Sequence, residues 1–113
     1  MFFLYSQNNS GGSFIVNENI GHEVIIEAND YNHANKRAEE IGIYFNGIND
    51  GMDCSCCCNR WDEEWSNEDA TNEPEIYGKS IKDYKPRTWF EDEEIVMIYY
   101  LDGTKQRLVF TKK

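Results

Sequence analysis

At 113 residues the chain has room for one domain with a real hydrophobic core, and none for a second domain with a cleft between the two. Hydrophobic content of 40% and aromatic content of 14% exclude a disordered chain, which would be poor in aromatics. A net charge of -10 repels phosphate backbones and anionic lipid, so a conventional nucleic-acid or membrane-surface binder is excluded, although an acidic DNA mimic is not.

The opening Met1-Phe2-Phe3-Leu4-Tyr5 is apolar but lacks a basic start and turns polar at Ser6, too short for a signal peptide. No stretch reaches the roughly 20 apolar residues of a membrane span. A cytoplasmic protein with reduced cysteines is expected. Residues 2–7 and 13–17 read as strands joined by Asn8-Asn9-Ser10-Gly11-Gly12, a turn cluster in which Asn and Gly reach positive φ at little cost. After Gly21, residues 22–28 read as a third strand. Asn29 or Asp30 suits a helix N-cap, and Tyr31, Ala34, Ala38 and Ile41 fall at helical spacing, so a helix is expected from Tyr31 to about Ile41, ended by Gly42. The small alanines would let it lie close against a sheet. Ile43-Tyr44-Phe45 is a short apolar run, and Asn46-Gly47 a turn.

From Asn49 to Glu75 the periodicity vanishes. This stretch holds all four cysteines, two of the three tryptophans, and Asp62, Glu63, Glu64, Glu68, Asp69, Glu73 and Glu75. A long irregular segment in a small domain is commonly functional or disordered, and its cysteines and tryptophans argue against disorder. The strands return at residues 94–101 and 104–111, joined by Asp102-Gly103 with the signature of a type I′ turn. The expected fold is α+β: an antiparallel sheet of about five strands, one packed helix, and a long acidic cysteine-containing insertion over 49–75, all in a single domain 1–113.

Three groups of residues can carry chemistry. Asp53-Cys54-Ser55-Cys56-Cys57-Cys58 packs its thiols into five consecutive positions, whereas core or disulfide cysteines would be spread through the fold. Cys54, Cys56 and Cys57 can supply three thiolates to a structural zinc, with His22 or His33 as a fourth ligand. Two separated pairs, the usual zinc pattern, are missing, so a compact loop of reduced thiols is the simpler reading of the cluster. A catalytic thiol would need a fixed base, and the carboxylates nearby oppose a thiolate, so no enzyme is expected.

The second group is Tyr5, Ser6, Gln7, Asn8, Asn9, Ser10, Gly11 and Gly12. It offers amides, hydroxyls and open backbone N–H groups for a polar small molecule, with Arg60 and Trp61 as charge and stacking partners. The same residues are also what a turn requires. It lacks the lysine and spacing of a phosphate-binding loop. The third group is the acids. Glu91-Asp92-Glu93-Glu94 and the acids of 62–75 read most simply as solvated faces, with mimicry of nucleic-acid phosphates as the sharper reading. Of Trp61, Trp65 and Trp89, one can stack on a base, against the plainer duty of filling the core beneath the insertion.

Taken together, Tyr5-Ser6-Gln7-Asn8-Asn9-Ser10-Gly11-Gly12-Ser13-Phe14, the stretch Arg37-Ala38-Glu39-Glu40-Ile41-Gly42-Ile43-Tyr44-Phe45-Asn46-Gly47, and Asp53-Cys54-Ser55-Cys56-Cys57 with Arg60-Trp61 resemble a family of small uncharacterised bacteriophage proteins, over a span ending near Tyr77-Gly78. Cys58 departs from the glycine expected there, which favours Cys54, Cys56 and Cys57 as the thiols of interest. The resemblance implies an accessory protein acting in the cytoplasm of an infected bacterium, without an established activity. Small phage accessory proteins commonly counter host defence, and stoichiometric binding suffices for that. The expected function is a non-enzymatic counter-defence binder that sequesters a small polar, nucleotide-derived signal. The alternative is an acidic inhibitor or DNA mimic that blocks a basic host protein, with the cysteine loop as zinc-bound structural support. Neither a nucleic acid nor a membrane is an expected partner, and open strand edges make a homo-oligomer reasonable.

Overall fold

The computed structural model describes residues 1–7, 15–45, 61–84 and 93–111. Its main sheet has four strands: β1 (Phe2–Ser6), β2 (Glu23–Glu27), β5 (Glu93–Tyr99) and β6 (Lys105–Thr111), in the order β1-β2-β5-β6. Between β2 and β5 in the chain come the helix α1 (Tyr31–Glu40) and a small hairpin of β3 (Glu75–Ile76) and β4 (Lys79–Ser80). The fold is therefore α+β with a mostly antiparallel sheet, as the composition and patterning implied. Two features differ from expectation. Among the described residues the main sheet has four strands where about five were expected, and β2 runs parallel to β5, with Glu23 beside Val96 and Ile26 beside Tyr99.

The first departure traces to the start of the chain. Residues 15–17 form no strand, and β1 pairs instead with β2, from Phe2 opposite Glu27 to Ser6 opposite Glu23. The chain does return beside the end of β1, but a side chain makes the contact. The Gln7 carboxamide donates to the Ile15 carbonyl at 2.7 Å and accepts from the Ile15 N–H at 2.9 Å, imitating one rung of a ladder. It also donates to the Gly21 carbonyl at 2.8 Å.

The core lies on both faces of the sheet. Phe3, Tyr5, Val24, Ile26, Met97 and Tyr99 point to the face covered by α1, where Ala34 and Ala38 are fully buried and Trp61, Ile43 and Phe45 complete the layer. Phe2, Ile25, Val96 and Ile98 point the other way, beneath Ile76 and the partly buried Ile81, Tyr84 and Phe110. This two-sided burial explains why the strands read as unbroken apolar runs, such as Val24-Ile25-Ile26, instead of alternating.

The helix follows its expected bounds closely. Asp30 caps it, accepting from the His33 N–H at 2.8 Å, and Gly42 takes a φ of 109° just beyond its end. Its two alanines allow the close approach to the sheet. The β5–β6 connection is one residue longer than expected. Tyr100 N–H donates to the Thr104 carbonyl and Gly103 N–H to the Tyr100 carbonyl, and only Gly103 has positive φ there. A type I′ turn needs positive φ at both central residues, and that pattern belongs instead to Tyr77 (49°) and Gly78 (85°) between β3 and β4. No described helix is long and apolar enough to cross a membrane.

Candidate functional site

The geometry gathers around the outer edge of β1. Ala28 N–H donates to the Met1 carbonyl and Gln7 N–H to the His22 carbonyl, so the odd-numbered residues of this segment face β2. The even-numbered ones turn their backbone outward. Phe2 uses both of its outward groups on Thr71, at 2.8 and 2.9 Å. Leu4 and Ser6 present theirs in the same direction and meet no hydrogen-bond partner among the described residues.

Residues 61–71 run past this edge and are tied down at four points. Trp61 is buried at 1% exposure. The Asn35 carboxamide, from α1, exchanges two hydrogen bonds with the Glu64 backbone at 2.8 and 2.9 Å, while the buried Tyr5 hydroxyl donates to the same Asn35 oxygen at 2.7 Å. Asn67 accepts from the Tyr31 N–H at the start of α1. Thr71 closes the series on Phe2. These ties hold the acidic segment as a wall beside the sheet edge.

Two concavities result, of about 390 and 290 Å³. Leu4, Glu64 and Asp69 line both. The larger has an apolar floor of Phe2, Leu4 and Ile25 with Glu75 and Tyr77 at its margin. The smaller places Tyr5 and Ser6 opposite Asp62, Glu63 and Trp65. Five carboxylates thus converge here, and among the described residues no lysine or arginine lines either concavity. Burial, and then the Asp69 charge, push the Glu64 carboxyl above its usual value. Burial, with Glu64 and Glu63 adding to it, lifts the Tyr5 phenol far above the ordinary tyrosine range, so it stays a neutral donor.

Tyr77 completes the site. Its backbone sits at positive φ, where a large residue is uncommon, its ring is exposed, and its hydroxyl meets the Ser6 hydroxyl at 2.7 Å. It reaches from the β3–β4 turn to the β1 edge.

The expected site residues divide unevenly. Tyr5 and Ser6 line the smaller concavity, and the polar end of Tyr5 is turned to Asn35. The Gln7 amide is engaged with Ile15 and Gly21. Trp61, expected as a stacking partner, is a core residue, while Trp65 stands 78% exposed. Asn8, Asn9, Ser10, Gly11, Gly12 and Arg60 lie outside the described residues, as do Cys54, Cys56, Cys57 and Trp89. Of the histidines offered to zinc, His22 accepts from the Ile95 N–H and His33 from the Asn29 N–H, each through Nδ1. Among the described residues no three His, Cys, Asp or Glu side chains gather as metal ligands.

Among the acids, Glu63, Glu64 and Asp69 line the concavities, whereas Glu68 is exposed and lines neither. Glu94 is not part of a solvated face. It is fully buried and accepts from the Tyr84 hydroxyl at 2.6 Å. Sequence reasoning missed Asn35, Leu4 and Tyr77. The Tyr-Gly pair flanked by Ile76 and Lys79 was the available signal for a second tight turn.

The chain belongs to the family described as Domain of unknown function (DUF7296), whose model matches residues 1–113. No curated protein and no solved structure matches it.

Proposed function

We propose that the protein is a non-enzymatic binder that blocks a basic surface of a partner protein by gripping it in the acidic groove along β1. One observation carries this reading. Asp62, Glu63, Glu64, Asp69 and Glu75 share the two joined concavities, with no lining cation among the described residues. Opposite charge steers a basic partner in, and like charge rejects phosphates, so the groove disfavours an anionic nucleotide. The apolar floor of Phe2, Leu4 and Ile25 adds contact area, so attraction is not left to exposed charges alone, which are individually weak. Blocking of this kind suits the phage accessory role that the sequence resemblance implies, because occupancy alone achieves it.

The test is a titration with a terminally blocked peptide of alternating lysine and valine. Binding at low salt, weakening as salt rises, is expected, with no binding of the glutamate–valine counterpart. Changing Glu63, Glu64, Asp69 and Glu75 together to their amides should weaken binding by about tenfold or more, since several partly desolvated charge contacts are lost. E68Q, outside the groove, should change it little. Equal affinity of the neutralised variant and the parent would overturn the proposal.

A further inference from the structure

We propose that the groove takes its basic partner as an extended peptide segment, added as a strand to the outer edge of β1 and hydrogen-bonded to the backbone of Leu4 and Ser6. This rests on the acidic-groove reading and specifies how that groove binds.

The edge supplies the first reason. The outward N–H and C=O groups of Leu4 and Ser6 continue the line along which Phe2 already exchanges two hydrogen bonds with Thr71. The first rung of an added strand is therefore built from the chain itself, and the next two meet no hydrogen-bond partner among the described residues. An extended peptide entering beside Thr71 would continue the ladder, the usual mode of recognition at an exposed sheet edge. Strand addition also explains why the acids flank an edge rather than a flat surface.

Side-chain alternation supplies the second reason. Successive residues of an added strand point to opposite faces of the sheet. One set would enter the larger concavity, where a long aliphatic stem lies on Leu4 and Ile25 and its charge reaches Glu75 or Asp69. The other set would meet Asp62, Glu63 and the exposed Trp65, carboxylates with an aromatic face, which suits lysine or arginine. Either face can take the cations, so an alternating lysine–valine peptide sets its lysines toward one and its valines toward the apolar surface of the other, Leu4 and Ile25 or Trp65.

The walls decide what can enter. Asp62, Glu63 and Trp65 wall the smaller concavity, the Tyr77–Gly78 turn walls the larger, and Glu64 and Asp69 border both. A lone extended chain fits between such walls, whereas the edge of a second folded copy brings its own packed layers. The net charge of -10 further opposes self-pairing. A cationic extended segment of another protein is the occupant.

The experiment compares the lysine–valine peptide with its counterpart methylated on every backbone nitrogen, which keeps the charge but removes the donors and crowds the ladder. The unmodified peptide should bind, and the methylated one should bind about tenfold or more weakly, because several hydrogen bonds are lost. In the protein, S6P removes an outward N–H that β2 does not use and should weaken binding comparably. The methylated-peptide arm needs no variant, so a misfolded S6P would not blunt it. Equal affinity of the two peptides would overturn strand addition and leave the acidic-groove reading standing. Binding of neither peptide would overturn both. Dimers that the peptide disperses would place a second copy in the groove and overturn the choice of occupant.

Discussion

Two carboxamides perform work usually left to strands. Gln7 pairs with both backbone groups of Ile15, and Asn35 pairs with both backbone groups of Glu64. Each holds an irregular segment in place without a ladder, and neither role is visible in hydropathy patterns, because a Gln or Asn at such a position reads as an ordinary polar surface residue. Glu64, held this way, has a carboxyl pushed above the usual glutamate value by burial first and the Asp69 charge second. Folding therefore favours its protonated form. Its contribution to stability is fully present below the unfolded value and is lost as pH rises through the higher folded one. E64Q carries no charge at any pH, so it is expected to raise the melting temperature at neutral pH and to leave it unchanged below pH 4.5, the unperturbed value. A scanning series of thermal melts across that range checks the sign, and a neutral-pH loss of stability would contradict it. A bound cation favours the ionised carboxylate, so affinity for the lysine–valine peptide should rise with pH through the same window.

At the scale of elements, what is local in the chain was legible. The helix announced itself through Asp30, the alanine spacing and Gly42, and β5 and β6 through their apolar weight around Asp102-Gly103. The parallel pairing of β2 with β5 was not, because it joins residues some seventy positions apart with a helix and a hairpin between them. Adjacency in sequence argued instead for a hairpin between residues 2–7 and 13–17. Gly21 is the small signal of the true pairing. A Cβ there would overlap the Ile95 carbonyl oxygen, and the neighbouring His22 exchanges bonds with Ile95 through its N–H at 2.7 Å and its Nδ1 at 2.9 Å. This brace sets the register of β2 on β5. G21A should therefore destabilise the fold by about 1–3 kcal/mol, the usual cost of forcing atoms into a packed site. Urea unfolding reads it as a lower midpoint with an unchanged slope. An alanine variant as stable as the parent would show that the close approach does not matter.

Over the whole molecule, charge is distributed with a pattern that a net value hides. The acids of residues 62–75 read in sequence as a uniform solvated face, yet Asp62, Glu63, Glu64, Asp69 and Glu75 line the groove while Glu68 points elsewhere. At the opposite edge of the sheet, β6 carries Lys105 and Arg107, whose side chains reach Asn19 and Asn17. Lysine and arginine on an exposed strand discourage edge-to-edge pairing. β1 carries no such guard and is flanked by anions. The sequence placed acids and aromatics within one irregular stretch but could not say that they border an open strand, since that depends on where Thr71, Asn35 and Trp61 anchor the segment. Backbone amide shifts of the labelled protein, followed by NMR during titration with the lysine–valine peptide, test this assignment directly. The largest changes should fall on Leu4, Ser6, Glu64, Trp65 and Asp69. Changes concentrated on β6 or on residues 15–20, with β1 undisturbed, would contradict it.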